Sequence, residues 1–130
     1  MIKAKIFIIS AFFLGACSTI QAADLNGKWK ITEIAGKSVS ATTSVLKFDP
    51  KEQRFSAGIG CNHLFGSYRT DNNKLTLSNP ATTLMGCPPE LAELEKTLSQ
   101  NLEQATSYQI QQNLLLIYDK KGNLIFQAER

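Results

Sequence analysis

The sequence predicts an α+β domain that is mainly β: a small curved antiparallel sheet or barrel with one covering amphipathic helix. Three observations predict it. Apolar and polar residues alternate in about seven or eight short runs, the period of a half-buried strand. Polar turns between these runs are of the kind that joins antiparallel neighbours. A single segment switches to helical spacing, with leucines three and four residues apart.

Residues 27–34, GKWKITEI, open the pattern, with Trp29 and Ile31 on one face and Lys28, Lys30 and Thr32 on the other. Leu46 and Phe48 continue it in VLKFD, Asp49 and Pro50 break it, and residues 54–57 resume it. Trp29 and Phe48 are assigned to the core. The runs 64–70 and 75–78 flank Asp71-Asn72-Asn73-Lys74, a polar turn of hairpin type. In PPELAELEKTLSQNLEQA, Leu91, Leu94, Leu98 and Leu102 draw an apolar stripe down one helical face. Pro88 and Pro89 suit its entrance, because first-turn amides lack internal partners. Glu90 and Glu93 complement the amino-terminal dipole, and together with Glu95 they read as a solvated face. The helix is read as a lid on the sheet. Tyr108 and Ile110 then alternate, residues 114–118 form an apolar run, and Asp119-Lys120-Lys121-Gly122-Asn123 turns into Leu124-Ile125-Phe126.

Ahead of this domain the chain reads as a targeting segment. Lys3 and Lys5 precede an uncharged apolar run at 6–16, too short to span a bilayer but suited to an export signal. Leu14-Gly15-Ala16-Cys17 resembles a bacterial lipobox. The resemblance implies a signal peptide at 1–16 and a lipid on the sulfur of Cys17. Residues 17–24 then form a short polar tether, and 25–130 the domain. An ordinary secretory signal cut near Ala22 or Ala23 would lack the usual small residue three positions upstream, where Ile20 and Gln21 stand. Ser18 is not the aspartate typical of inner-membrane retention. An outer-membrane lipoprotein facing the periplasm is therefore expected, held to the membrane through Cys17.

Charge excludes one class of partner. The chain has 14 Lys and Arg against 11 Asp and Glu, and without Lys3 and Lys5 the excess is a single charge. No basic face is available for nucleic acid. No Gly-x-Ser-x-Gly, Walker loop or His-Glu-x-x-His occurs, and the one histidine leaves most acid–base schemes without their usual residue.

Gly60-Cys61-Asn62, then Gly66, then Thr83-Leu84-Met85-Gly86-Cys87 and the leucine-striped helix after Pro88-Pro89 resemble the META-domain family. The likeness spans about residues 25–129. Its motif residues here are Gly60, Cys61, Asn62, Gly66, Thr83, Met85, Cys87 and Pro88. It implies a non-enzymatic, monomeric envelope protein associated with heat or envelope stress and with tolerance of novobiocin-type drugs. Another envelope protein would be its partner. Leu84 stands where a relative carries arginine, which separates this chain from any function needing a cation there. His63 stands where relatives often carry arginine or another residue, so the family's role does not require an imidazole.

Cys61 and His63 still raise the question of a nucleophile with its base. A nucleophilic cysteine needs a lowered pKa and an oriented base. With Cys17 consumed by lipid, Cys61 and Cys87 remain as an even pair in an oxidising compartment. They are read as a disulfide ahead of two free thiols, and a nucleophile or redox site comes last. The loop so closed would hold 27 residues counted inclusively, worth roughly 3.5 kcal/mol of denatured-state freedom. Cys61, His63 and Cys87 offer zinc at most three ligands without a Cys-x-x-Cys pair, so no metal and no cofactor are expected.

The glycines at 58, 60 and 66 are assigned to bulges or close backbone approaches. Asn62 is read as tying a turn, and Thr83 and Met85 as packing or tying the loop before the helix. Two functional alternatives stand beside the META-type reading. One is a small lysozyme-inhibitor-like lipoprotein using residues 79–87 or 65–68 as a plug. The other is a thiol-dependent enzyme using Cys61 and His63.

Overall fold

The computed structural model describes residues 24–39 and 43–130. Its elements are β1 (Gly27–Ile34), β2 (Lys37–Ser38), β3 (Val45–Asp49), β4 (Arg54–Gly58), β5 (His63–Asp71), β6 (Lys74–Thr82), α1 (Pro89–Glu103), β7 (Ser107–Gln111), β8 (Leu114–Tyr118) and β9 (Leu124–Glu129). Every strand pairs antiparallel with the next in the order β2-β1-β3-β4-β5-β6-β7-β8-β9, and β1 also pairs with β9. Eight strands thus close into a barrel, with β2 a two-residue addition to β1. The mainly β class with one covering helix is what the chain forms. The expected signal at 1–16 and the expected lipid site at Cys17 lie outside the described residues, as does the expected tether except for Asp24.

Alternation builds the core as the sequence indicates, with one shift. β1 buries Trp29 and Ile31, and a bulge against β9 between Ile31 and Glu33 moves the period by one, so Ile34 also turns inward. Trp29, Phe48, Phe55 and Phe126 fill the barrel, and Phe48 meets Tyr68 edge-on with ring centroids 5.0 Å apart.

β6 is longer than its sequence pattern. The alternating run ends at Ser78, yet the strand continues through Asn79 and Pro80 to Thr82. A bulge between Phe65 and Ser67 absorbs the extra residue, with Asn79 at φ 52°. Proline is tolerated at such a bulge, where its missing N–H costs no ladder bond. Gly66 makes it feasible. A Cβ there would lie 2.6 Å from the Ser78 carbonyl oxygen and 2.8 Å from Phe55 Cε1.

The barrel has a loose seam. β6 and β7 share a single register pair, Lys74 with Ser107, supported by the Leu75 N–H to Thr106 and the Tyr108 N–H to Asn73. The chain leaves β6, forms α1, and returns as β7, so the helix connects the two strands of that seam and packs on β6 and β1. Pro88 is its N-cap, and Glu90 sits in its first turn. Of the four striped leucines, Leu98 and Leu102 are fully buried, while Leu91 and Leu94 pack half-buried at the rim. The two buried ones contribute about 3 to 6 kcal/mol gross.

Candidate functional site

The fold gathers Cys61, Asn62, Thr83, Met85 and Cys87 at one rim of the barrel. The β4–β5 turn supplies Cys61 and Asn62, the stretch after β6 supplies Thr83 to Cys87, and α1 supplies Glu95. Gly60 holds the turn at φ 127°, a region that disfavours side chains, with Thr43 Oγ1 only 3.1 Å from where a Cβ would stand.

Asn62 is the hub. Its backbone N–H donates to Glu95 Oε1 at 2.6 Å. Its side-chain Nδ2 donates to Glu95 Oε2 at 3.0 Å and to Cys87 Sγ at 3.1 Å, which uses both amide protons and leaves the Met85 carbonyl at 3.4 Å a weaker contact. Its Oδ1 accepts from Thr83 Oγ1 at 2.9 Å and from the Met85 N–H at 2.8 Å. Thr83 Oγ1 in turn accepts from the His63 N–H at 3.0 Å, and the Thr83 N–H donates to the His63 carbonyl. One side chain thereby ties the turn, the 83–87 loop and the helix together.

Cys61 and Cys87 are joined as a disulfide with Cα atoms 6.1 Å apart. Having no proton, Cys87 Sγ makes only a contact with Glu95 Oε2 at 3.6 Å. Cys61 accordingly has no thiol to offer a substrate in this state. His63 contributes backbone bonds while its side chain is exposed, so the imidazole and Glu95 stand in different surroundings.

Beside the hub opens a cavity of about 330 Å³. Ala57, Leu64 and Leu98 give it an apolar floor, and Asn62, Thr83, Glu95 and Lys96 contribute polar groups. Leu84 and Met85 overhang it and are 93% and 62% exposed, unusual for large apolar side chains. Met85 thus ties the loop through its backbone, not by packing its side chain.

Three readings need correction. Glu95 does not belong to a solvated face: it is half-buried and holds Asn62, whereas Glu90 and Glu93 are exposed. Its position four residues after Leu91, at the flank of the leucine stripe, was the available signal. Residues 65–68 lie within β5, and 79–82 within β6, so neither is a free plug loop. Only the stretch from 83 to 88 projects from the strands.

A small antiparallel barrel, covered by one helix and braced at one rim by a disulfide and an asparagine hub, is the class that fold and site define. The META domain family model matches residues 21–130, and the chain belongs to that family. It is similar to Heat shock protein HslJ of Escherichia coli (strain K12), 26% identical over 100 residues that span 76% of this chain and 71% of that protein. Among solved structures, it resembles a duf4847 family protein from Bacteroides vulgatus ATCC 8482 with a TM-score of 0.64 at 13% identity, covering 80% of this chain and 92% of the other. An NMR structure of a protein from Burkholderia xenovorans aligns with a TM-score of 0.62 at 18% identity, over 81% and 82% of the two chains. These two likenesses concern the fold alone.

Proposed function

We propose that this chain is a non-enzymatic, lipid-anchored envelope protein that presents its braced rim to a partner and serves under heat or envelope stress. The observation that carries the reading is the placement of the two ends. Asp24, the first described residue, lies with Asn26, Pro50, Gln53 and Tyr68 at the start of β4, whereas the cavity with Leu84 and Met85 lies past the end of β4. A lipid on Cys17 would hold the first end near a membrane and leave the second facing the periplasm. The seven residues from Ser18 to Asp24 reach about 25 Å at most. Among the described residues, no helix is long and apolar enough to cross a membrane. Likeness to a protein named as a heat shock protein supports the stress role, and the family resemblance extends it to novobiocin-type tolerance.

The anchor is tested by fractionating cells that express the Cys17→Ala chain. Release into the soluble periplasmic fraction is expected, and unchanged membrane retention would refute it. The exposed 83–86 loop beside a cavity favours one second reading, an inhibitor that inserts this loop into an enzyme cleft. A pull-down with lysozyme separates the two, since capture would favour the inhibitor and no binding would dismiss it.

A further inference from the structure

We propose that the reduced chain binds a borderline-to-soft divalent metal ion, Zn²⁺ being the reference case, between Cys61 Sγ, Cys87 Sγ and a carboxylate oxygen of Glu95. These ligand atoms come from the β4–β5 turn, the 83–87 loop and α1, and all lie within 4.8 Å of one another. The sequence pairs Cys61 with His63, but the fold replaces that imidazole with Glu95.

The carboxylate is held in place in advance. Asn62 fixes the Glu95 carboxylate through two hydrogen bonds, at 2.6 and 3.0 Å, and donates a third to Cys87 Sγ at 3.1 Å. Such outer partners orient metal ligands and commonly matter as much as ligand identity. Zinc–sulfur bonds of about 2.3 Å at a tetrahedral angle require sulfurs about 3.8 Å apart. The sulfurs must therefore separate from their bonded distance. Cys87 sits on a non-strand stretch next to Gly86, around which a Cβ would meet nothing within 4 Å, so the loop has room to yield. Two thiolates and a carboxylate match zinc better than magnesium or calcium, which take oxygen ligands.

The chemistry balances with an external thiol or phosphine reductant. A dithiol gives two electrons and two protons to the disulfide, becoming a cyclic disulfide itself, and leaves Cys61 and Cys87 as thiols. Metal binding then forms two metal–sulfur bonds and releases both thiol protons to solvent. Three protein ligands leave a fourth position. Cys87, Glu95 and Asn62 also line the cavity, so the site borders it. The ion would replace the disulfide as the link between turn and loop and add α1 to it.

The test uses the full chain, reduced with a phosphine, desalted without oxygen, and titrated with Co²⁺. Thiolate-to-cobalt charge-transfer bands and visible tetrahedral d–d bands are expected to saturate near about one equivalent. Zn²⁺ should abolish them, Mg²⁺ should not, and the oxidised chain should show none. Glu95→Gln is expected to weaken Co²⁺ binding about tenfold or more, and His63→Ala to leave it unchanged. Circular dichroism checks the fold first. Should the reduced chain be unfolded, Zn²⁺ must restore the oxidised chain's spectrum. A folded reduced chain without charge-transfer bands would overturn the proposal. So would binding indifferent to Glu95→Gln, or an unfolded reduced chain that Zn²⁺ does not refold.

Discussion

Two asparagines organise opposite ends of this barrel, and their surroundings differ in kind. Asn26 accepts from the Tyr68 hydroxyl at 3.1 Å through its side chain and from Arg130 at 3.2 Å through its carbonyl, while its own N–H groups donate to Asp24. Around it the stabilisation is apolar. Trp29 is fully buried, its indole N–H donates to the Leu25 carbonyl at 2.7 Å, and the Arg130 guanidinium lies 4.2 Å from its ring centre. Asn62 at the other end ties a turn, an extended loop and the middle of α1 through Glu95. There the work falls to a covalent bond and charge-assisted hydrogen bonds to Glu95. Removing large buried side chains weakens the whole barrel, whereas the Asn62 end can be loosened while the barrel stands. An end fastened in this way can display apolar side chains such as Leu84 without depending on burying them.

The largest expected effect breaks the comparison from the aromatic side. Phe48→Ala should cost about 3–5 kcal/mol in denaturant unfolding, with both ends melting together. A loss confined to one end would show that the ends are not coupled through the core. Next, replacing Cys61 and Cys87 together by serine should lower stability by roughly 3.5 kcal/mol on the chain-entropy view. The strands of the aromatic end should keep their near-ultraviolet Trp29 signal under native conditions.

Asn62→Ala leaves the Met85 N–H and the Thr83 hydroxyl without their acceptor and Glu95 Oε2 without its side-chain donor, while the backbone N–H to Oε1 remains, and about 1–3 kcal/mol of destabilisation is expected. Its structural consequence should be local, read as faster proteolysis at the 83–86 loop. The smallest effect sharpens the Asn26 side. Burial, followed by the nearby Asp24 charge, raises the Tyr68 phenol above its usual ionisation range. A raised folded value means that its contribution is complete below the unfolded pKa of about 10 and is lost as pH rises through the folded value. Tyr68→Phe should therefore flatten the alkaline limb of a stability–pH profile, and an unchanged limb would show that the group plays no part.

The sequence displays the barrel because period-two alternation is written directly into β1, β3 and β4, and the helix because its leucines recur along one face. Two features escaped that logic. The continuation of β6 through Asn79 and Pro80 depends on Gly66 across the ladder, a partner that no local pattern reveals. Glu95 stands four residues after Leu91 at the flank of the stripe, but its partner Asn62, 33 residues earlier, is brought against it only by the fold. The cysteine spacing marked the rim, but the cavity beside it arises from three separate segments and has no linear signature.

The most direct test of the difference between the ends is residue-resolved hydrogen exchange of the full chain before and after disulfide reduction in metal-free buffer. The expected result is a loss of amide protection confined to residues near 59–64, 82–88 and the first turn of α1, with β1, β3 and β9 keeping theirs. Equal loss of protection throughout the barrel, or no loss at the rim, would contradict it.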